Sequence, residues 1–208
     1  MTHTGLSEKV FFMRVFIAVL VLIFSLQSWA VADDIRDFEL EGFSIGDSLL
    51  KSYNKGFIDS RTDHWPGSKK YTMFWDDLED SETYESIQFV YLSNDTNYLL
   101  RAIVAGIIYE NTPITKCYEQ KKTIINEIKL VAPNAKIEKG KKNKHRFDPS
   151  GQSTFQNIYL RFNNGDTIAV GCYDWSKKIS EEHGYKDHLR ISIYDNDHRL
   201  WLQNEAFK

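Results

Sequence analysis

The hydrophobic pattern divides the chain into short runs rich in β-branched and aromatic residues, separated by one long segment of helical spacing. KYTMFWD (70–76), YESIQFVYLS (84–93) and NYLLRAIVAGIIYE (97–110) predict three strands. The third is the most apolar run beyond residue 32, which predicts a central strand, with Gly106 marking a bulge. Asn94-Asp95 marks the turn that leads into it. Next, NTPITKCYEQKKTIINEIKLVAP spaces Ile114, Cys117, Tyr118, Ile124, Ile125, Ile128 and Val131 as one face of a helix. Thr112 is its expected cap, Pro113 its first residue and Pro133 its stop.

The second half repeats the alternation. FQNIYLRF (155–162) and TIAVGCYDW (167–175) flank Asn163-Asn164-Gly165. A two-residue Asn-Gly loop would put Ile158, Leu160 and Phe162 on one face and Ile168, Val170 and Cys172 on the other. A three-residue loop, 163–165, pairs Leu160 with Ile168 and Ile158 with Val170 and keeps both sets together. The spacing therefore predicts that loop, with Gly165 left-handed. DHLRISIY (187–194) turns Leu189, Ile191 and Ile193 to one side, and Asp195 or Asp197 caps a last short helix. Near the start, Ser44 with Asp47 three residues later has the form of a capping box. It predicts a helix over 45–55 that buries Ile45, Leu49 and Tyr53 and ends at Gly56. The order is helix, three strands, helix, three strands, short helix. This is an α+β pattern with an antiparallel sheet and helices packed on one face. The repeated helix-plus-three-strands unit allows two diverged halves in a single domain, 33–208, although no shared residues link them.

The first 32 residues stand apart from this pattern. Lys9 and Arg14 precede the apolar run VFIAVLVLIFSLQSWA, and Ala30-Val31-Ala32 offers small residues to a signal peptidase. The reading is a cleaved secretory leader, residues 1–32, cut before Asp33, with no transmembrane segment left after cleavage. The run is short for a membrane span, although retention as an anchor is the other outcome. Removing the leader leaves 24 basic and 28 acidic residues, a net charge of −4. That balance gives no electrostatic reason to expect nucleic acid as a partner. Export bears on Cys117 and Cys172, which pair most simply as a disulfide in an oxidising compartment.

Four sets of residues have candidate chemistry. Ser48 lies in Gly46-Asp47-Ser48-Leu49, and Asp195-Asn196-Asp197-His198 is an Asp-x-x-His near the C-terminus. With Asn94 these resemble the pattern of the GDSL, or SGNH, hydrolases. The resemblance would make Ser48 a nucleophile, His198 its base, Asp195 the residue orienting the imidazole, and Asn94 an oxyanion donor. The departures are Leu92 where that family has glycine, Leu50-Lys51-Ser52 after the Gly-Asp-Ser-Leu motif, Arg199 after the histidine, and antiparallel strands in place of a doubly wound sheet. The capped helix is the favoured reading, and no catalytic residue is assigned. The second set is the histidines: His64, His145, His183, His188 and His198 lack tight ligand spacing, so neither a metal nor a cofactor is expected. The third is the basic loop 134–147, where Lys139, Lys141, Lys142, Lys144 and Arg146 are candidate contacts to anionic lipid head groups or an acidic partner, with a solvated connection the favoured reading. The fourth is the aromatic set, in which Trp65, Trp75, Tyr84, Tyr91, Tyr173 and Trp175 suit either a core or a ligand groove. Asn94-Asp95-Thr96 is also a glycosylation sequon.

FELEGFSIGDSLL (38–50), HRFDPSG (145–151), CYDW (172–175) and DHL (187–189) together resemble a family of small exported bacterial proteins with no assigned activity. The resemblance implies a bacterial source and export, and no reaction. The expected function is an exported, periplasmic or secreted, binding or interaction domain whose partner is another envelope protein or a small ligand. The alternatives are the serine esterase and a structural envelope component.

Overall fold

In the computed structural model, which describes residues 32–78, 81–110 and 112–207, every segment predicted as a strand joins one antiparallel sheet. Among the described residues the strands are β1 (Thr62–Trp65), β2 (Ser68–Asp77), β3 (Ser86–Leu92), β4 (Leu100–Ile108), β5 (Lys136–Lys139), β6 (Asn143–Lys144), β7 (Thr154–Arg161), β8 (Thr167–Asp174) and β9 (His188–Tyr194). The α-helices are α1 (Lys55–Ser60), α2 (Ile114–Val131), α3 (Lys177–His183) and α4 (Asn196–Asn204). The strand order is β1-β2-β3-β4-β9-β8-β7-β5, with β6 on the far part of β7. The meanders β2–β4 and β7–β9 thus meet at a β4–β9 seam, where Ile103 lies opposite Ile193. The leader prediction covers residues 1–32, of which 1–31 lie outside the described residues. Ala32 is buried, and its N–H donates to Val131 O at 2.8 Å.

The hairpin register follows the parity argument. Leu160 pairs with Ile168 and Ile158 with Val170 around the loop 163–165, where Gly165 has φ +91°. Phe74, Phe89, Ile103, Ile193, Ile168 and Leu160 consequently share one face, which α2 and the N-terminal residues Ile35, Phe38 and Leu40 cover. The Cys117–Cys172 disulfide ties α2 to β8 inside this core, and both cysteines are fully buried. The other face has a smaller core, in which Trp201 and Ala206 pack on Tyr71, Val90 and Ala102. Helix α4 therefore lies on the side opposite α2.

Several local expectations change. There is no helix over 45–55. Gly46 adopts φ +92° and donates to Leu100 O at 2.9 Å, while Leu49 donates to Tyr98 O at 3.1 Å. Backbone groups that a helix needs internally are spent on the start of β4. Asp47 still accepts from Ser44 N–H at 2.8 Å, but the pair closes a turn. Helix formation waits for a 3-10 turn at Leu49–Lys51 and then for α1, capped by Asn54. Gly56 lies within α1 and does not end it. Gly106 makes no bulge: it sits in register between Ser86 and Arg190, and the irregularity lies at Val90/Tyr91. Thr112 turns its hydroxyl back to Glu110 O, leaving Pro113 in the cap position of α2. The basic loop contains the edge strands β5 and β6. Ile137 is the only apolar residue of β5, and its outward lysines suit an unpaired sheet edge. The short helix α3 was not predicted, because Ile179 is its one buried residue.

Candidate functional site

The face that carries α4 is covered only along part of its width. Sheet register places Trp75, Gln88, Val104, Ser192, Ala169 and Tyr159 in one row across six strands. The next row is Ser86, Gly106, Arg190, Gly171 and Asn157. In the first row Trp75 and Tyr159 stand at the ends with Val104, Ser192 and Ala169 between them; in the second, Gly106 and Gly171 flank Arg190. The result is a groove with a low floor and high walls. Its α4 end encloses about 790 Å³ and the opposite end about 520 Å³. Both ends share Trp75, Gln88, Val104, Phe147 and Arg190, so they form one continuous depression. These volumes lie in the range typical of small-molecule sites.

Close approach on the floor depends on glycine. A Cβ on Gly171 would come within 1.8 Å of Asn157 Oδ1. With glycine there, the Asn157 amide lies flat and donates to Tyr159 Oη at 3.1 Å.

The wall opposite α4 comes from the end of the basic loop and the turn that follows it. Asp148 organises it: Oδ1 accepts from Ser150 N–H at 2.9 Å and Oδ2 from Ser153 N–H at 2.8 Å. These donors, with both serine hydroxyls, hold its carboxyl well below the usual carboxylate range. Ser153 Oγ also accepts from Ser176 N–H at 2.9 Å, joining the segment to the end of β8. So held, the segment carries Phe147 to the groove, and the Arg146 guanidinium stacks on Phe207 at 3.5 Å. Phe147 and Phe207 are 57% and 50% exposed, high values for rings in the walls of a cavity.

The charged groups here are unusual in kind. Arg190 stacks over the Tyr173 ring at 4.2 Å and donates to its hydroxyl. His188 also stacks on Tyr173, 4.7 Å away and nearly parallel to it. Burial pushes His188 down to about 4, and burial with the nearby Arg190 and Arg146 pushes His145 down as well. Both imidazoles are therefore neutral at pH 7, and the positive charge belongs to Arg146, Arg190, Arg199 and Lys186. Among the described residues, none that lines either end of the groove is acidic.

The residues singled out from the sequence fall mostly elsewhere. Ser48 caps the 3-10 turn, accepting from Leu50 N–H at 3.1 Å and donating to Asn97 O at 2.6 Å. Asp195 caps α4 through His198 N–H at 2.8 Å and pairs with Arg101 at 2.9 Å. The His198 imidazole is buried among Trp65, Tyr71 and Trp201, with Nδ1 unpartnered among the described residues. Asn94 is exposed in the β3–β4 turn. Asp195 and His198 are neighbours on one helix, but the carboxylate holds the histidine's backbone N–H and not its ring. Lys139, Lys141, Lys142 and Lys144 are exposed along the β5–β6 edge, with Lys142 paired to Asp174 at 3.4 Å. Of the predicted basic set, Arg146 alone lines the groove. Of the aromatic set, Trp65, Trp75, Tyr173 and Trp175 line it, and Tyr84 and Tyr91 are core residues. Sequence reasoning missed Arg190 and the floor. The available signal was the run of small residues at alternate positions of strands that are otherwise bulky: Gly106, Ala169, Gly171 and Ser192.

Comparison with protein-family models, with curated proteins and with solved structures finds no match.

Proposed function

We propose that this chain is an exported binding module whose ligand lies on the uncovered face of its sheet. One observation carries the reading: among the described residues no helix covers the centre of the nine-stranded sheet on one side, and its floor is too small to fill the space between its aromatic walls. Buried sheet faces are normally covered, and a bare, partly apolar concavity of this size is characteristic of a binding surface. Export is supported by the leader-like residues 1–32 and by the disulfide, which is consistent with an oxidising compartment. No helix among the described residues is long and apolar enough to cross a membrane.

The test is binding of N-phenyl-1-naphthylamine, a neutral apolar dye that fluoresces when it leaves water. The protein is expected to bind it at a single saturable site. Val104→Trp, which places a bulky ring on the floor at the half-buried centre of the row, should abolish that binding while leaving the unfolding midpoint nearly unchanged. Absence of saturable binding, or binding that Val104→Trp leaves intact, would refute this placement of the ligand.

A further inference from the structure

We infer that the groove takes a small apolar anion, its acyl or aryl body lying on the floor and its carboxylate or sulfonate held by Arg190. This rests on the groove reading above and adds the chemistry of the ligand. Arg190 projects from the centre of the sheet and lines both ends of the depression. A guanidinium has five N–H donors, and its recorded partner here is the Tyr173 hydroxyl. Among the described residues no carboxylate pairs with it. Of the other cations nearby, Lys186 pairs with Glu110 at 2.6 Å and Arg199 donates to Gly165 O and Asn196; Arg146 stacks on the Phe207 ring as Arg190 does on Tyr173, but it lines only the α4 end, whereas Arg190 lines both.

A half-buried cation whose donors lack an acceptor is costly, and a charge-complementary ligand removes that cost. The planar fork matches the two oxygens of a carboxylate or sulfonate. The lining contains no acid that would repel such a group. The floor beside Arg190 includes Val104, Gly106 and Ala169, which offer a small apolar bed for the rest of the molecule. The chain as a whole has a formal charge of −3, so the cationic groove does not reflect a generally basic surface.

Two dyes of one shape separate the parts of this inference. 8-Anilinonaphthalene-1-sulfonate is N-phenyl-1-naphthylamine with a sulfonate added. The protein should bind the sulfonate about tenfold more tightly than the neutral dye, the size of one charge-assisted contact. Arg190→Met should bring the two affinities to parity while retaining the neutral dye, which also shows that the variant's groove is folded. Arg190→Lys should keep part of the preference, and dodecanoate should displace the sulfonate dye better than dodecanol does. Equal affinity of the two dyes in the natural protein would overturn the anion seat and leave the groove reading standing. So would a sulfonate preference that survives Arg190→Met. Failure of both dyes to bind would overturn the groove reading itself, and the anion seat with it.

Discussion

His198 makes the stability of this protein depend on mild acid. Its ring is 2% exposed and wedged between Tyr71 at 4.8 Å, Trp201 at 5.4 Å and Trp65 at 5.7 Å. Burial, with Lys70 nearby, pushes its pKa from the ordinary 6.5 down to about 3. Above pH 6.5 the imidazole is neutral in both the folded and unfolded chains and contributes no pH dependence. Between pH 6.5 and 3 the unfolded chain takes up a proton that the folded chain refuses, so stability falls as pH falls. At pH 5, 1.5 units below the unfolded value, the loss is about 2 kcal/mol. The informative variant is His198→Phe. It keeps a ring in the aromatic cluster, removes the titration and leaves the α4 cap intact, since Asp195 binds the backbone N–H and not the imidazole. Urea unfolding followed by tryptophan fluorescence at pH 7 and pH 5 gives the comparison. The natural protein should lose about 2 kcal/mol more than the variant over that interval. His188, pushed down to about 4, titrates in the same window in both proteins and cancels in the difference. Equal losses would mean that the folded protein accommodates a protonated His198, and the argument from burial would be wrong.

Two further predictions concern the frame of the groove. The Cys117–Cys172 disulfide closes a 55-residue span, so reduction should lower stability by about 4 kcal/mol in the chain-entropy model. Urea midpoints with and without reductant measure this, and a shift equivalent to less than about 1 kcal/mol would refute the estimate. Gly165→Ala combines a left-handed backbone with a Cβ 2.4 Å from Asn196 Oδ1, and should cost about 2 kcal/mol with an unchanged denaturant slope. A variant as stable as the natural protein would show that the 163–165 turn relaxes to another geometry.

How much was legible in the sequence follows from the range of the forces involved. Alternation along 70–76, 84–93, 97–110, 155–162, 167–175 and 187–194 fixed the strands, because side-chain period and burial are local properties of a strand. Parity around Asn163-Asn164-Gly165 fixed the hairpin register for the same reason, and it placed Cys172 on the face that meets Cys117. The prediction failed where the partner was remote. Gly46 and Leu49 gave their amides to the start of β4, so a well-formed local capping signal did not produce a helix. The lysine-rich segment became an edge strand because β7 was there to pair with it, not because of its own propensity.

The groove lies at the far end of that scale. Gly106, Ala169, Gly171, Arg190 and Ser192 come from β4, β8 and β9, with α2 and β5–β7 lying between β4 and β8 in the chain, and none carries a motif. Only the β4–β9 seam sets them side by side, only α4 crossing to this face leaves the rest of it bare, and only the Asp148 network holds Phe147 at its wall. The sequence by itself determined the strands, the hairpin register, the disulfide and the α+β class through local periodicity. The tertiary structure decided which face stayed open and which cation stands at its centre, because both depend on contacts between segments that chain order does not bring together.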